Sequence, residues 1–393
     1  MATVISPQIL EEVQRPELPK RVPWYLWCAV LGVTSVNVGA YWDVSWHRSI
    51  GRDTFWTPAH MAIYLCGVLA GISFGYLILS TTFIRGRAAR EGAVRVLGFS
   101  APLGAFIAAW GGIAMITSAP FDNWWHNAYG LDVKIISPPH TLLIFGTFAV
   151  QVGSLFVIAS TMNRAGWQSD TYRRLQGLLL YIAGLLLIQT MFFRTEYLTD
   201  VLLHNSTAYI SISLGVPIYF GLVGRGARNR WACTWMAAVY SLFLIGAILI
   251  LPLFSAQPKL GPVYEPITHF VPPEFPLLLI VPAVLLDLLW RFIGEKNPLL
   301  VAAISGPVFL LSLVAVQWPF TNFLMTKAAH NPFFAAGYPD YSTRPWSHYV
   351  LRQFVDPQHG LALWSGLGIA VLYSTISVWL GLMLGEWMRK IQR

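Results

Sequence analysis

The sequence predicts an all-α fold, a polytopic integral membrane helix bundle of about ten transmembrane helices. Three observations predict it. Apolar residues make up 55% of the 393 residues and charged residues only 11%, where soluble domains carry about 25% charge. Mean hydropathy is +0.56. Apolar runs of about 20 residues, long enough to cross a bilayer as helices, recur along the whole chain.

Ten runs are read, at residues 24–42, 57–84, 95–118, 139–162, 175–193, 205–224, 231–256, 275–293, 298–320 and 361–386. Only a short break, 294–298, separates the eighth from the ninth. Residues 1–23 are read as a cytoplasmic tail: Glu11, Glu12, Glu17 and several prolines leave no apolar stretch for a cleavable signal peptide. Residues 24–162 form a first four-helix half, 163–230 a linker pair of helices, and 231–393 a second, degenerate four-helix half. Within the second half, the connection 321–360 is long and rich in Pro, Gly, Tyr and Phe. Connections of that length usually serve function, so a lid or a docking surface for a partner is expected there.

The net charge of +8 does not point to nucleic acid. Of 26 basic residues, 18 fall in the two tails or in alternate connections, among them Arg85, Arg95, Arg173, Arg228 and Arg291. The positive-inside rule places that face and both termini in the cytoplasm. The opposite connections then face the periplasm of a bacterial inner membrane, and the basic surplus meets anionic lipid. Cys28, Cys66 and Cys233 fall within predicted spans without a CxxC pair, which argues against a disulfide framework and a thiolate metal site. Inside the eighth span Asp287 is the clearest charge, and Arg291 one turn on is expected to pair with it.

Two stretches at equivalent places carry the chemistry. Tyr41 to His60 holds Asp43, His47 and His60, spaced D-x3-H-x12-H. Phe121 to His140 holds Asp122, His126 and His140, spaced D-x3-H-x13-H. Residues four apart share a helix face, so each Asp–His pair is expected on one face if its helix runs on. Each stretch ends in Pro-x-His at the head of the next span, where Thr57 and Pro58 suit the N-cap and first helical position. Two His and one carboxylate with open positions can hold a transition metal: His-rich ligation suits copper or zinc, and the three-ligand pattern suits iron. Arg52 and Asp53 are candidates to orient those ligands from outside, or to form a loop-stabilising ion pair. Asp200 and His204 repeat the four-residue spacing without a Pro-x-His and read as a polar turn.

A weaker echo appears in the second half. Glu274 follows Pro272-Pro273, and His359 stands 85 residues beyond it after Asp356-Pro357-Gln358. In that register Thr321 replaces Asp122 and Met325 replaces His126. The two halves read as a parallel internal duplication.

With RDTFWTPAH in the first stretch, residues 24–162 resemble the C subunit of the copper membrane monooxygenases, the particulate methane and ammonia monooxygenase family. The resemblance implies one copper site at Asp43, His47 and His60. It implies an adjacent site at Asp122, His126 and His140, where the family pattern begins with Asn instead of Asp. Further membrane subunits in a hetero-oligomer, O2, a small apolar substrate and an external electron donor are implied as well. The competing classes are a metal transporter or copper-handling protein, which would need a polar path across the bilayer, a b-type haem protein, and a non-catalytic structural subunit.

Overall fold

The computed structural model describes residues 21–86, 90, 93–130, 136–195 and 198–392. The predicted tail thus lies outside the described residues except for its last three. Helix α1 (Trp24–Ser49) pairs with α2 (Pro58–Leu79), which ends in a π turn over Ser80–Ile84. A short antiparallel hairpin follows, β1 (Val94–Val96) and β2 (Phe99–Ala101). Then come α3 (Leu103–Tyr129), α4 (Pro138–Arg164), α5 (Asp170–Phe192), α6 (Ser206–Ser213) and α7 (Val216–Gly226). The chain closes with α8 (Ala232–Ile250), α9 (Ile280–Ile293), α10 (Pro298–Leu324), the single turn α11 (His348–Leu351) and α12 (Gly360–Met388).

Among the described residues, eight helical segments are long and apolar enough to cross a membrane: α2 with its π turn, α3, α4, α5, the pair α6–α7, α8, α10 and α12. The chain is an all-α, membrane-type bundle. Several predicted bounds shift for local reasons. Residues 95–101 turn in the hairpin, where Leu97 and Gly98 take φ of 50° and 87°. Pro102 then precedes α3, which runs on through Pro120 to Tyr129. The sixth span is broken at Leu214–Gly215, and Pro217 sits in the first turn of α7.

Two predicted spans fall outside the eight. Helix α1 has 26 residues, but Asn37, Asp43, His47 and Arg48 dilute its apolar character. The predicted eighth span begins late, since α9 has only 14 residues. Pro272, Pro273 and Pro276 precede it, and proline removes a donor and pushes the preceding residue out of the helical region. The extended segment is paired another way. Leu277 N–H donates to Tyr240 Oη at 3.2 Å and Leu278 N–H to Gln317 Oε1 at 3.0 Å. Val271 N–H donates to Ser49 Oγ, and Ser45 Oγ–H donates to Val271 O, both at 2.7 Å. These bonds lash residue 271 to the end of α1.

Asp287 does not pair with Arg291. It is 4% exposed and reaches across from α9 to the start of α8. There it accepts from Cys233 N–H at 3.2 Å, Thr234 N–H at 2.8 Å and Thr234 Oγ–H at 2.7 Å. Arg291 instead lies 3.8 Å from the Trp231 ring centroid. A carboxylate at a helix N-terminus satisfies orphan donors and meets the positive end of the dipole. Asp287→Ala is therefore expected to cost about 2–3 kcal/mol, the penalty of leaving buried donors unmade. Asp287→Asn, which keeps an acceptor, should cost less. Thermal unfolding of both variants in detergent checks the order.

Close approach of backbones sets the geometry at one end of the bundle. A Cβ on Gly39 of α1 would stand 2.9 Å from Ala59 O of α2. Between α3 and α4 a Cβ on Gly111 would meet Gly146 O at 2.6 Å, and one on Gly146 would meet Gly111 O at 2.9 Å. Small residues let helices touch where no solvent drives them together.

Candidate metal centre

Helix α1 runs on to Ser49, so Asp43 and His47 lie one turn apart on one face. His60 is in the first turn of α2. Thr57 occupies the N-cap position but does not cap with its side chain. Its hydroxyl donates to Thr54 O at 2.7 Å and accepts from Thr54 N–H at 2.9 Å, locking the loop that carries Asp53. The Trp46 indole N–H holds the same loop through Arg52 O at 2.9 Å. The Arg52 side chain is exposed and makes no ion pair with Asp53 among the described residues.

The first cluster closes around four side chains. His60 Nε2 lies 3.2 Å from Asp43 Oδ1 and 3.3 Å from Asp53 Oδ2. His47 Nε2 lies 3.5 Å from Asp53 Oδ2 and 3.8 Å from Asp43 Oδ2. One donor atom each from Asp43, Asp53 and His60 falls within 4.8 Å of the others. Asp53, expected to orient the ligands from outside, offers a carboxylate oxygen alongside those of Asp43 and His60. His47 stands on the rim, with 48% of its side chain exposed.

The second cluster repeats the arrangement. Asp122 and His126 share a face of α3, and His140 opens α4, where Ser137 Oγ accepts from the His140 N–H at 3.4 Å. His126 Nε2 lies 3.3 Å from Asp122 Oδ2, and His140 Nε2 3.3 Å from Asp122 Oδ1. These three also satisfy the 4.8 Å spacing. Ligands each about 2.0–2.2 Å from one ion sit at most about 4.4 Å apart, so modest side-chain adjustment would bring either set onto a metal.

The ring tautomers bear on what sits between these groups. His60 Nδ1 meets Thr54 O at 2.9 Å, and His126 Nδ1 meets Gly130 O at 3.2 Å. A carbonyl only accepts, so each Nδ1 carries the proton. Each Nε2 faces carboxylate oxygens, with a lone pair where the ring is neutral and with a proton where it is charged. Asp43 Oδ1 is buried and takes no hydrogen bond of good geometry, although His60 Nε2 is close. Converging lone pairs repel unless a cation or a second proton lies among them. A backbone carbonyl on the far ring nitrogen is the usual device for aiming a metal-binding histidine. The donor set fits a first-row transition metal.

Both clusters open on one cavity of about 340 Å³, whose wall includes Asp43, His47, His60, Asp122 and His140. Val36, Ala40, Val44, Ile63, Leu143, Ile144, Phe192 and Phe193 make the rest largely apolar, and Asn37, Thr147 and Gln189 add polar groups. Tyr64 lines it too, within electrostatic reach of Asp43 and Asp122. Sequence reading missed Tyr64. The available signal was its position four residues after His60, on the same helix face.

The long connection reaches this end of the bundle. Asp340 lines the cavity and pairs with Arg48. Tyr341 N–H donates to Arg48 O at 3.2 Å, and Arg48 Nη1 donates to Pro272 O at 3.0 Å. Burial acts to raise the Asp53 carboxyl, but the His47 hydrogen bond and the charges of His47 and His60 outweigh it and hold it below the usual carboxylate range.

Asp200 and His204 do not form a third ligand set among the described residues. His204 is wedged between the rings of Trp318 and Phe354, at 4.4 and 3.8 Å between centroids. Thr321 donates its hydroxyl to Gln317 O at 2.8 Å, and His359 is exposed at the head of α12. Asp200, 5% exposed, instead neighbours Glu274. Burial and the adjacent Asp200 push the Glu274 carboxyl up, against the pull of Arg48. A carboxyl raised by folding binds its proton more tightly in the folded state. Its contribution to stability is full below the ordinary Glu pKa of about 4.3 and is lost as pH climbs through the raised value. Wild-type protein should therefore melt at lower temperature as pH rises above that range. Glu274→Gln should flatten the slope, which melting curves across neutral pH would test.

The chain matches no protein-family model, and neither curated proteins nor solved structures include a significant match.

Proposed function

We propose that this chain is a metal-binding membrane protein, with copper the favoured ion and iron or zinc the alternatives. In this reading it works as a subunit, or a divergent relative, of a copper-dependent monooxygenase acting on small apolar molecules. The observation that carries the proposal is the pair of Asp–His clusters facing one apolar cavity. Asp43, Asp53 and His60, with His47 at the edge, hold one ion. Asp122, His126 and His140 hold the other. Copper bound there supplies O2 reduction and activation, with electrons from an external donor.

The chain's own residues do the rest. Thr54 O and Gly130 O keep protons on the outer histidine nitrogens, so that the inner ones point to the ions. The apolar wall accepts a substrate from lipid and limits water near the clusters. At about 340 Å³ the cavity falls in the range of small-ligand sites, roughly 300–1,000 Å³. Asp340, paired with Arg48, holds the long connection over the cavity end. The distribution of basic residues supports ten crossings, cytoplasmic termini and a periplasmic site, and exposed apolar faces on the outer helices leave room for lipid and partner subunits.

Elemental mass spectrometry with EPR on nanodisc-purified protein tests the reading. Two equivalents of copper support it. Zinc or iron at the same stoichiometry keeps the sites and removes the copper chemistry. Metal-free protein after reconstitution leaves imidazolium–carboxylate pairs and overturns the proposal.

A further inference from the structure

A second pocket lies at the other end of the bundle, where α7, α9 and α12 end and α10 begins. Its volume is about 780 Å³, and Arg225, Arg228, Arg230, Arg291 and Arg389 line it with only two acids, Asp287 and Glu295. Asp287 is already engaged by the start of α8. Glu295 is 66% exposed and pairs with Arg389, with Arg225 at 3.9 Å. Five guanidinium charges against two carboxylates leave a strongly positive hollow even if both acids are fully ionised.

Part of that charge is structural. Arg225 is nearly buried and donates to Lys296 O, with Glu386 at 3.8 Å. Arg291 donates to Arg230 O at 3.1 Å. Arg228 and Arg389 are less fully committed, although Arg389 already pairs with Glu295. Arg228 has no carboxylate partner among the described residues, and its guanidinium lies 5.2 Å from the Trp167 ring centroid. Its backbone is held in place at φ 50°, with Gln176 Nε2 donating to Ala227 O at 2.8 Å and Arg228 O at 3.2 Å. Arg389 Nε is buried and has no acceptor. The Tyr172 hydroxyl is also buried without a partner, on a residue 5% exposed. It lies within electrostatic reach of Arg228 and Arg389, and its ring packs on Trp167 at 5.0 Å. Arg389 Nε and the Tyr172 hydroxyl, the latter on a residue outside the pocket wall, therefore lack an acceptor, and Arg228 lacks an ion-pair partner among the described residues.

We infer that this pocket binds a phosphate-bearing anion, the headgroup of an anionic phospholipid or a free phosphate, through Arg228, Arg389 and Tyr172. Planar guanidinium groups match phosphate oxygens in pairs, and basic pockets between membrane helices take anionic headgroups. The surroundings fit a lipid. Val301, Leu382 and Trp290 give the pocket an apolar side. Phe292, Leu299 and Leu300, 88%, 60% and 51% exposed, flank Gly294 and Glu295 and offer a surface for acyl chains. The site is independent of the metal clusters.

Native mass spectrometry tests this on the full chain, taken from nanodiscs of phosphatidylglycerol and phosphatidylcholine in equal amounts. Wild type should retain phosphatidylglycerol preferentially. Arg228→Gln/Arg389→Gln should lower that preference about tenfold, the scale of losing hydrogen bonds to a charged group. Tyr172→Phe, which keeps the ring packing, should lower it about threefold. Arg174→Gln, at an exposed position two residues along α5 from Tyr172 and outside the pocket, should change nothing. A second arm titrates inorganic phosphate into lipid-depleted protein and follows thermal stability. Stabilisation lost in the double variant identifies free phosphate as the occupant; a response to phosphatidylglycerol alone identifies the headgroup. Equal retention of both lipids without phosphate stabilisation, or an unchanged preference in both the double variant and Tyr172→Phe, overturns the inference.

Discussion

Replacing His60 with alanine is expected to empty the first metal cluster and leave the second loaded. His60 brings its Nε2 closer to both Asp43 and Asp53, at 3.2 and 3.3 Å, than His47 does, at 3.8 and 3.5 Å. Without it the two carboxylates share a site with no neutral donor between them, and His47 reaches it only from the rim. Affinity should fall by more than about 100-fold, beyond the loss typical of outer groups that merely orient a ligand. His126→Ala should do the reverse. His47→Ala should cost less than His60→Ala, because His47 is the more exposed and the more distant of the two. Metal counts on the three variants decide the matter. If His47→Ala empties the first cluster while His60→Ala does not, the grouping of Asp43, Asp53 and His60 is wrong. Equal loss from both clusters in His60→Ala would mean that the two sets form one site.

Gly146→Leu is expected to part α3 from α4 at the metal end of the bundle. Gly146 touches α3 with its backbone, and an added Cβ would lie 2.8 Å from Met115 Cγ and 2.9 Å from Gly111 O. A longer side chain must push α4 away from α3. Overpacking of this kind costs about 1–3 kcal/mol or more. The displacement also separates His140 on α4 from Asp122 and His126 on α3. The variant should therefore lose the second metal and unfold at lower temperature, while the first cluster, built on α1 and α2, keeps its ion better. Gly177→Leu is the control, since a Cβ there meets nothing within 4 Å. A Gly146→Leu protein with normal melting and full metal content would show that the helices do not need this contact.

Some of this was legible in the order of residues. Composition alone marked the chain as a membrane-type bundle, because a bilayer demands apolar helices whatever their partners. The four-residue spacing of Asp43 with His47, and of Asp122 with His126, paired each set on one helix face, since helical periodicity is local. His60 and His140 were found by the Pro-x-His that starts each following helix. Prolines 272, 273 and 276 were a signal the sequence reading passed over when it started the eighth span at residue 275.

Other features came only from contacts between distant parts of the chain. Asp53 joined the first cluster because its loop is folded back by Trp46 and Thr57. Asp287 caps α8 instead of pairing with Arg291, a choice made by helix packing 53 and 54 residues away in sequence. The two clusters share one cavity because α1, α2, α3 and α4 bring their ends together, and Asp340 joins it from the long connection. The sequence by itself determined which segments are helical and apolar and which residues can act as ligands, because those depend on near neighbours. The tertiary structure decided which ligands meet, what they face and which charges stay unpaired, because those depend on how closely the helices pack and on where the loops are tied.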